Sequence, residues 1–191
     1  MEKTFQIYYT SDTHGHVFPV SYASNSPENA GLLNLAAQVE KDGNTLVLDG
    51  GDALQGTPLT QYYLEHRGEW PIHPVAAAFN AMGLDYFPLG NHDFNFGYEA
   101  LREYLEAMDG VCLCTNVEDL GGQLRIRPWA VHTLDNGLRI GITGVVTDFV
   151  NIWEQPQNLE RIRITDAFRA ARAACAALRD QCDVCVCICH G

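Results

Sequence analysis

The chain has 191 residues, 47% of them hydrophobic, which is the size and apolar content of one domain able to bury its own core without disulfides. Its 24 acidic residues against 12 lysines and arginines give a formal charge of -12. That balance repels a phosphate backbone and argues against polymeric nucleic acid as a partner. A small phosphorylated metabolite stays open, because bound divalent cations reverse the sign of a carboxylate-lined site. The first residues, Met-Glu-Lys-Thr-Phe-Gln-Ile, run into an apolar alternation with no basic n-region or apolar h-region, and no run approaches the roughly 20 apolar residues of a spanning helix. The expectation is a cytoplasmic chain with no membrane partner.

In chain order, Phe5 to Thr10 reads as a strand, Gly31 to Val39 as a helix and Thr45 to Leu48 as a second strand, one β-α-β unit. Helices are predicted over Thr60 to His66 and Pro74 to Met82, then a short strand through Tyr86 to Leu89. Tyr98 to Met108 reads as helix and Val111 to Cys114 as strand, and Ala130 to Leu134 with Arg139 to Thr143 as a hairpin across Asp135-Asn136-Gly137. Ser21 to Asn29 has loop composition. The last helix is predicted over Asp166 to Leu178, with Thr165 as N-cap and Phe168, Ala171, Cys175 and Leu178 along one face. Asp183 to Cys189 is the final strand. Alternating strands and helices make this an α/β layered fold, and the hairpin makes its sheets mixed.

Seven cysteines invite a metal or disulfide reading. Cys185, Cys187 and Cys189 alternate with Val186 and Ile188 at strand period, so they are expected as small packing groups on one face of a buried strand. Cys182 and Cys185 form a C-x-x-C without a second pair, which disfavours a zinc or redox role.

Four polar clusters each follow an apolar strand: Ser11-Asp12-Thr13-His14, Gly50-Gly51-Asp52, Gly90-Asn91-His92-Asp93 and Cys189-His190-Gly191. In layered α/β folds the carboxyl ends of neighbouring strands share a crevice, so these clusters converge. Asp12 and His14, two apart, point the same way in extended backbone and grip one cation with an oxygen and a nitrogen. Asp52 offers two oxygens suited to bridging, while Asn91 and His190 supply an oxygen and a nitrogen to a second ion. His16, His66, His73 and His132 match no ligand position and read as structural, His16 having the best remaining claim as a residue at the mouth of the site. Tyr62, Tyr63, Trp70 and Trp153 read as packing or loop aromatics.

The segments Ser11-Asp12-Thr13-His14-Gly15, Gly50-Gly51-Asp52-Ala53-Leu54-Gln55-Gly56-Thr57-Pro58 and Leu89-Gly90-Asn91-His92-Asp93-Phe94-Asn95-Phe96-Gly97 resemble the calcineurin-like metallophosphoesterases. Within them the chain is similar to the 5'-nucleotidase and 2',3'-cyclic-nucleotide 2'-phosphodiesterase family. The resemblance implies a four-layer α/β/β/α sandwich and an in-line attack on phosphorus by a metal-bound hydroxide. It implies two divalent ions (Mn, Fe, Zn or Co), with Asp12 and His14 on the first, Asp52 bridging, and Asn91 and His190 on the second. His92 would face the phosphate as a catalytic group.

Two departures from the family pattern bear on function. Asn95 stands where many 5'-nucleotidases carry an aspartate partner for the catalytic histidine, so it can orient the ring but supplies no charge; this is closer to the cyclic-nucleotide branch. Asp93 is an alternative partner, ranked as structural. Family members also continue past His190 to a Gly-His-x-His or Gly-His-Ser-Gln segment and a C-terminal domain that stacks the base. The expectation for residues 1–191 is therefore a catalytic domain incomplete at its C-terminus, weakly active or inactive alone. Its expected parent hydrolyses nucleotide phosphoesters, 2',3'-cyclic nucleotides in preference to 5'-monophosphates. The rivals are a 5'-nucleotidase or nucleoside-diphosphate-sugar hydrolase, and a catalytically silent metal-binding or interaction domain.

Overall fold

The computed structural model describes residues 2–191. Strands β1 (Gln6–Thr10), β4 (Thr45–Asp49), β5 (Tyr86–Phe87), β6 (Val111–Leu113) and β8 (Ile126–Arg127) form a five-stranded sheet in the order β1-β4-β5-β6-β8, every neighbouring pair parallel. A second sheet has the order β12-β10-β9, from β9 (Trp129–Thr133), β10 (Arg139–Val146) and β12 (Val184–His190). There β10 pairs parallel with β12 and antiparallel with β9, so the mixed character expected of both sheets belongs to the second alone. Two small ribbons complete the strands: β2 (Val20–Ser21) with β3 (Ser26–Pro27) in the expected loop, and β7 (Val117–Asp119) with β11 (Ile162–Ile164).

Layering follows from which faces are apolar. All five residues of β4 are buried, with no alternation, as expected of a strand covered on both sides. Leu46 and Leu48 meet Leu113, Ile140, Ile142 and Ile188 in a core between the sheets, while Val47, Phe87 and Cys112 pack with Phe79, Leu101 and Tyr104 beneath the helices. Helices α1 (Leu32–Ala36), α2 (Pro58–Glu65), α3 (Pro74–Met82) and α4 (Gly97–Ala107) precede β6, a short α5 (Val150–Trp153) follows β10, and α6 (Ala167–Leu178) packs on the outer face of β10 and β12. The result is the four-layer α/β/β/α arrangement. Among the described residues no helix is long and apolar enough to cross a membrane.

Local signals explain the boundaries. Helix α3 begins at Pro74, whose missing N–H costs nothing there, and the His73 ring accepts from the Val75 amide at 3.2 Å. It stops at Gly83, φ 74°.

Three expectations are corrected. The N-cap of α6 is Asp166, whose carboxylate accepts from the Arg169 amide at 2.7 Å, not Thr165. The buried face of α6 is Ala174 and Leu178; Phe168 is 84% exposed, because alanine spacing alone does not tell which stripe meets the sheet. The thiol row is not a buried packing face: Cys185 and Cys189 are exposed and Cys187 half-buried, since β12 is an edge strand and α6 covers it only in part. All seven cysteines are free thiols.

Candidate metal centre and active site

The carboxyl ends of β1, β4, β5 and β12 bring the four polar clusters together. Asp12 follows β1, Asp52 follows β4, Asn91 and His92 lie in a 3₁₀ turn after β5, and His190 is the last residue of β12. Asp12, His14 and Asp52 each present a ligand atom, all within 4.8 Å of one another, alone among the described residues in forming such a group.

Their backbone is unusual. Four non-glycine residues among those described have positive φ: Asp12 (52°), His14 (47°), Asn25 and Asp52 (60°). Such conformations cost roughly 1–3 kcal/mol each and persist where the surroundings impose them; here Asp12 donates its amide to Gly51 O at 3.0 Å and His14 to Asp52 O at 2.8 Å. The extended geometry expected for Asp12 and His14 is therefore replaced by left-handed turns, because the two loops are laced together by main-chain bonds.

Glycines permit that close approach. A Cβ on Gly90 would lie 2.1 Å from Asp52 Oδ1 and 2.3 Å from Asp52 N, and Gly51, at φ 96°, sits with its own Cβ direction against Gly90 N. Asp93 then ties the Asp52 and Asn91 loops together. It is almost completely buried and accepts four backbone amides, from Gly90 (2.8 Å), Ala53 (2.9 Å), Leu54 (3.0 Å) and Asp52 (3.1 Å). Burial, helped by the neighbouring Asp52 charge, pushes its pKa up, opposed by the amides of Gly90, Leu54 and Ala53. Asp93 therefore clamps the loops and does not partner His92. Nearby Asp49, buried under Thr10, is pushed up to about 7, chiefly by burial.

The imidazoles share one orientation. Nδ1 of His14 lies 2.8 Å from Gln55 O, Nδ1 of His190 lies 2.8 Å from Gly50 O, and Nδ1 of His92 lies 2.8 Å from Asn95 Oδ1. An oxygen at Nδ1 calls for a proton there, which leaves Nε2 as the atom free to ligate or to exchange a proton.

Nε2 of His190 lies 3.1 Å from Asn91 Oδ1 and 3.2 Å from Asp52 Oδ2. Three lone-pair atoms thus converge, a frustrated arrangement that a cation, or a proton on Nε2, reconciles. Burial disfavours the charged His190 ring, but Asp52 raises its pKa to about 9. Burial likewise opposes the Asp52 charge, yet the bond to His190 and the His92 amide at 2.7 Å hold that carboxylate below its ordinary range. The mixed oxygen and nitrogen donor set of carboxylate, amide and imidazole fits first-row divalent ions such as Mn, Fe, Zn or Co.

Beside Asp12 and His14 opens a cleft of about 520 Å³, lined by Tyr9, Thr13, His16, Leu35 and Thr57. His16 lines the cleft, hydrogen-bonds Val20 O at 3.1 Å and packs on Tyr22, outside the Asp12, His14 and Asp52 group. His66, His73 and His132 are engaged elsewhere, with Tyr62 O, the Val75 amide and Tyr86 Oη. Tyr63 is buried, whereas Tyr62, Trp70 and Trp153 are exposed.

One residue the sequence did not single out stands behind His92. Glu154, at the C-terminal end of α5, accepts from Asn95 Nδ2 at 2.7 Å. Its segment, Phe149 to Trp153, lacks a periodicity that would mark a following acid as anything but solvated.

Comparison with known proteins decides the family: residues 5–190 match the calcineurin-like phosphoesterase model. The chain belongs to the calcineurin-like phosphoesterases. This phosphoesterase is 28% identical over 201 residues to the trifunctional nucleotide phosphoesterase protein YfkN of Bacillus subtilis, covering 95% of this chain and 14% of the relative. It is 27% identical over 198 residues to a 2',3'-cyclic-nucleotide 2'-phosphodiesterase/3'-nucleotidase of Salmonella typhimurium, covering 95% of this chain and 30% of the relative. The structure of a putative 5'-nucleotidase from Staphylococcus aureus superposes with a TM-score of 0.82 at 28% identity, covering 97% of this chain and 37% of that one. The phosphoesterase thus spans less than a third of the length of these two curated relatives.

Proposed function

We propose that the chain provides the metal-binding catalytic domain of an enzyme that hydrolyses nucleotide phosphoesters, 2',3'-cyclic nucleotides in preference to 5'-monophosphates. The observation that carries this reading is the convergence of Asp12, His14, Asp52, Asn91 and His190 at the strand ends, with Nε2 of His92 left free beside them. Asp12 and His14 would hold one divalent cation, Asn91 and His190 a second, and Asp52 both. When bound, the cations supply positive charge to the phosphoryl oxygens and acidify an attacking water.

The remaining work falls to the protein. His92, its ring centroid 5.6 Å from that of His14, stands where it can donate a hydrogen bond to a phosphoryl or leaving oxygen when Nε2 is protonated, or take a proton there when it is not. Asp93 and the paired glycines hold the loops at their spacing, so the donors stay placed as charge develops. The preference for cyclic diesters is supported by Asn95, a neutral partner for His92, and by the name carried by the Salmonella relative.

The test is hydrolysis of 2',3'-cyclic AMP, 5'-AMP and bis-p-nitrophenyl phosphate with added manganese. Faster turnover of the cyclic substrate supports the reading, and faster turnover of 5'-AMP replaces it with a 5'-nucleotidase. Manganese binding by calorimetry without turnover of any substrate, both in these 191 residues and in a version extended by a Gly-His-x-His or Gly-His-Ser-Gln segment, would instead mark a silent cation-binding domain.

A further inference from the structure

We infer that Glu154 is a positioning residue for His92, acting through the side-chain amide of Asn95. The inference rests on the reading of His92 as a catalytic group. Three distances build it. His92 Nδ1 lies 2.8 Å from Asn95 Oδ1, Asn95 Nδ2 lies 2.7 Å from Glu154 Oε2, and Asn158 Nδ2 lies 2.9 Å from Glu154 Oε1. Asn158 Nδ2 also reaches the backbone oxygen of Asn95 at 3.0 Å. Glu154, Asn95 and Asn158 are all half-buried.

The chemistry of each group fixes the direction of the chain of bonds. A carboxylate only accepts, so the Asn95 atom that meets it is the NH₂. The carbonyl end of the same amide therefore faces His92, and two acceptors cannot share a proton neither carries. His92 Nδ1 must then bear the hydrogen, and in the neutral ring Nε2 keeps the lone pair. An asparagine alone cannot enforce this, because its amide is nearly symmetric in shape and a half-turn would offer NH₂ to Nδ1 and reverse the tautomer. Glu154 removes that freedom. The charge that Asn95 lacks is thus supplied one residue further out, and it also polarises the amide that touches the ring.

Glu154 is itself held in place. Its backbone amide donates to Val150 O at 2.9 Å, ending α5, and Asn158 occupies its second oxygen. The loop after α5 is by this reading part of the catalytic apparatus, although it contributes no atom to the strand-end clusters.

The experiment uses the full chain labelled with ¹⁵N-histidine. Long-range ¹⁵N–¹H spectra with the ring neutral should place the His92 proton on Nδ1 in the natural protein and on a mixture of nitrogens in Glu154→Ala. Turnover should fall roughly ten- to a hundredfold in that variant, the usual effect of removing the group that orients a functional histidine. Asn95→Asp alone would set two carboxylates face to face and should also lose turnover. Asn95→Asp combined with Glu154→Gln restores a donor opposite a carboxylate and should recover most of it. An unchanged His92 tautomer in Glu154→Ala, or equal activity of Asn95→Asp with and without Glu154→Gln, overturns the inference. The tautomer is read without substrate, so failure of the proposed reaction and failure of this linkage are separable.

Discussion

His190 Nε2, at the end of β12, and Asp52 Oδ2, in the loop after β4 of the other sheet, stand 3.2 Å apart, with the His190 ring anchored by Nδ1 to Gly50. The site is thus a seam between the two sheets, and the carboxylate on that seam should matter most. In Asp52→Asn, turnover is expected to drop about a hundredfold or more. A cation that binds the folded chain at a hundredfold excess over its Kd should stabilise the natural protein by about 2.7 kcal/mol. Thermal melts with and without manganese would show that shift in the natural protein and a much smaller one in the variant; equal shifts would remove Asp52 from the site.

Asp93→Asn is expected to be costly although it keeps shape and volume. Each carboxylate oxygen accepts two backbone amides, so the new NH₂ would leave two buried backbone donors without an acceptor, about 2 to 6 kcal/mol in all. Urea unfolding measures it. A loss below about 0.5 kcal/mol, the range of ordinary surface changes, would mean that the clamp does not hold the loops.

His73 should impose a pH dependence on stability. Burial, between the rings of Tyr63 and Tyr104, pushes it down to about 3. From about pH 6.5 downward the unfolded chain takes up a proton at this ring that the folded chain refuses. Stability therefore rises with pH across this window, and is lost toward pH 3 at up to about 1.4 kcal/mol per unit. His73→Asn retains an acceptor for the Val75 amide and removes the titration. Its urea midpoints between about pH 5 and 7 should vary less than those of the natural chain, and parallel profiles would count against the assignment.

The two faces of α6 should respond unequally. Leu178 is fully buried and Phe168 is 84% exposed. Leu178→Ala is expected to cost about 2 to 5 kcal/mol, and Phe168→Ser less than about 0.5 kcal/mol. Comparable losses at both would show that Phe168 is packed in solution.

Much of this was legible beforehand where local chemistry dominates. Helix α3 coincides with its predicted bounds, because Pro74 and Gly83 punctuate it and its apolar residues recur at helical spacing. The strand-end clusters were legible through residue type. The backbone at Asp12 and His14 was not, since a left-handed aspartate or histidine is imposed by loops that meet in space and leaves no mark in sequence. Glu154 was hidden for a related reason. Its partner Asn95 lies 59 positions away, and nothing between them announces the pairing. The exposed Phe168 shows the complementary limit, for an alanine-rich helix presents several stripes of nearly equal hydropathy.

The contact between Gly51 and Gly90 carries a consequence for which ion is chosen. These residues meet backbone to backbone, so the gap between the loops bearing Asp52 and Asn91 is set by the absence of a methyl group. A Gly90→Ala substitution would act as a shim in that gap and spread the oxygen donors. Selectivity between ions of one charge depends on cavity size and ligand rigidity, so under the proposed two-cation reading the glycine pair would gauge ionic radius. Widening it should move the preference from manganese or zinc toward larger ions such as cadmium or calcium.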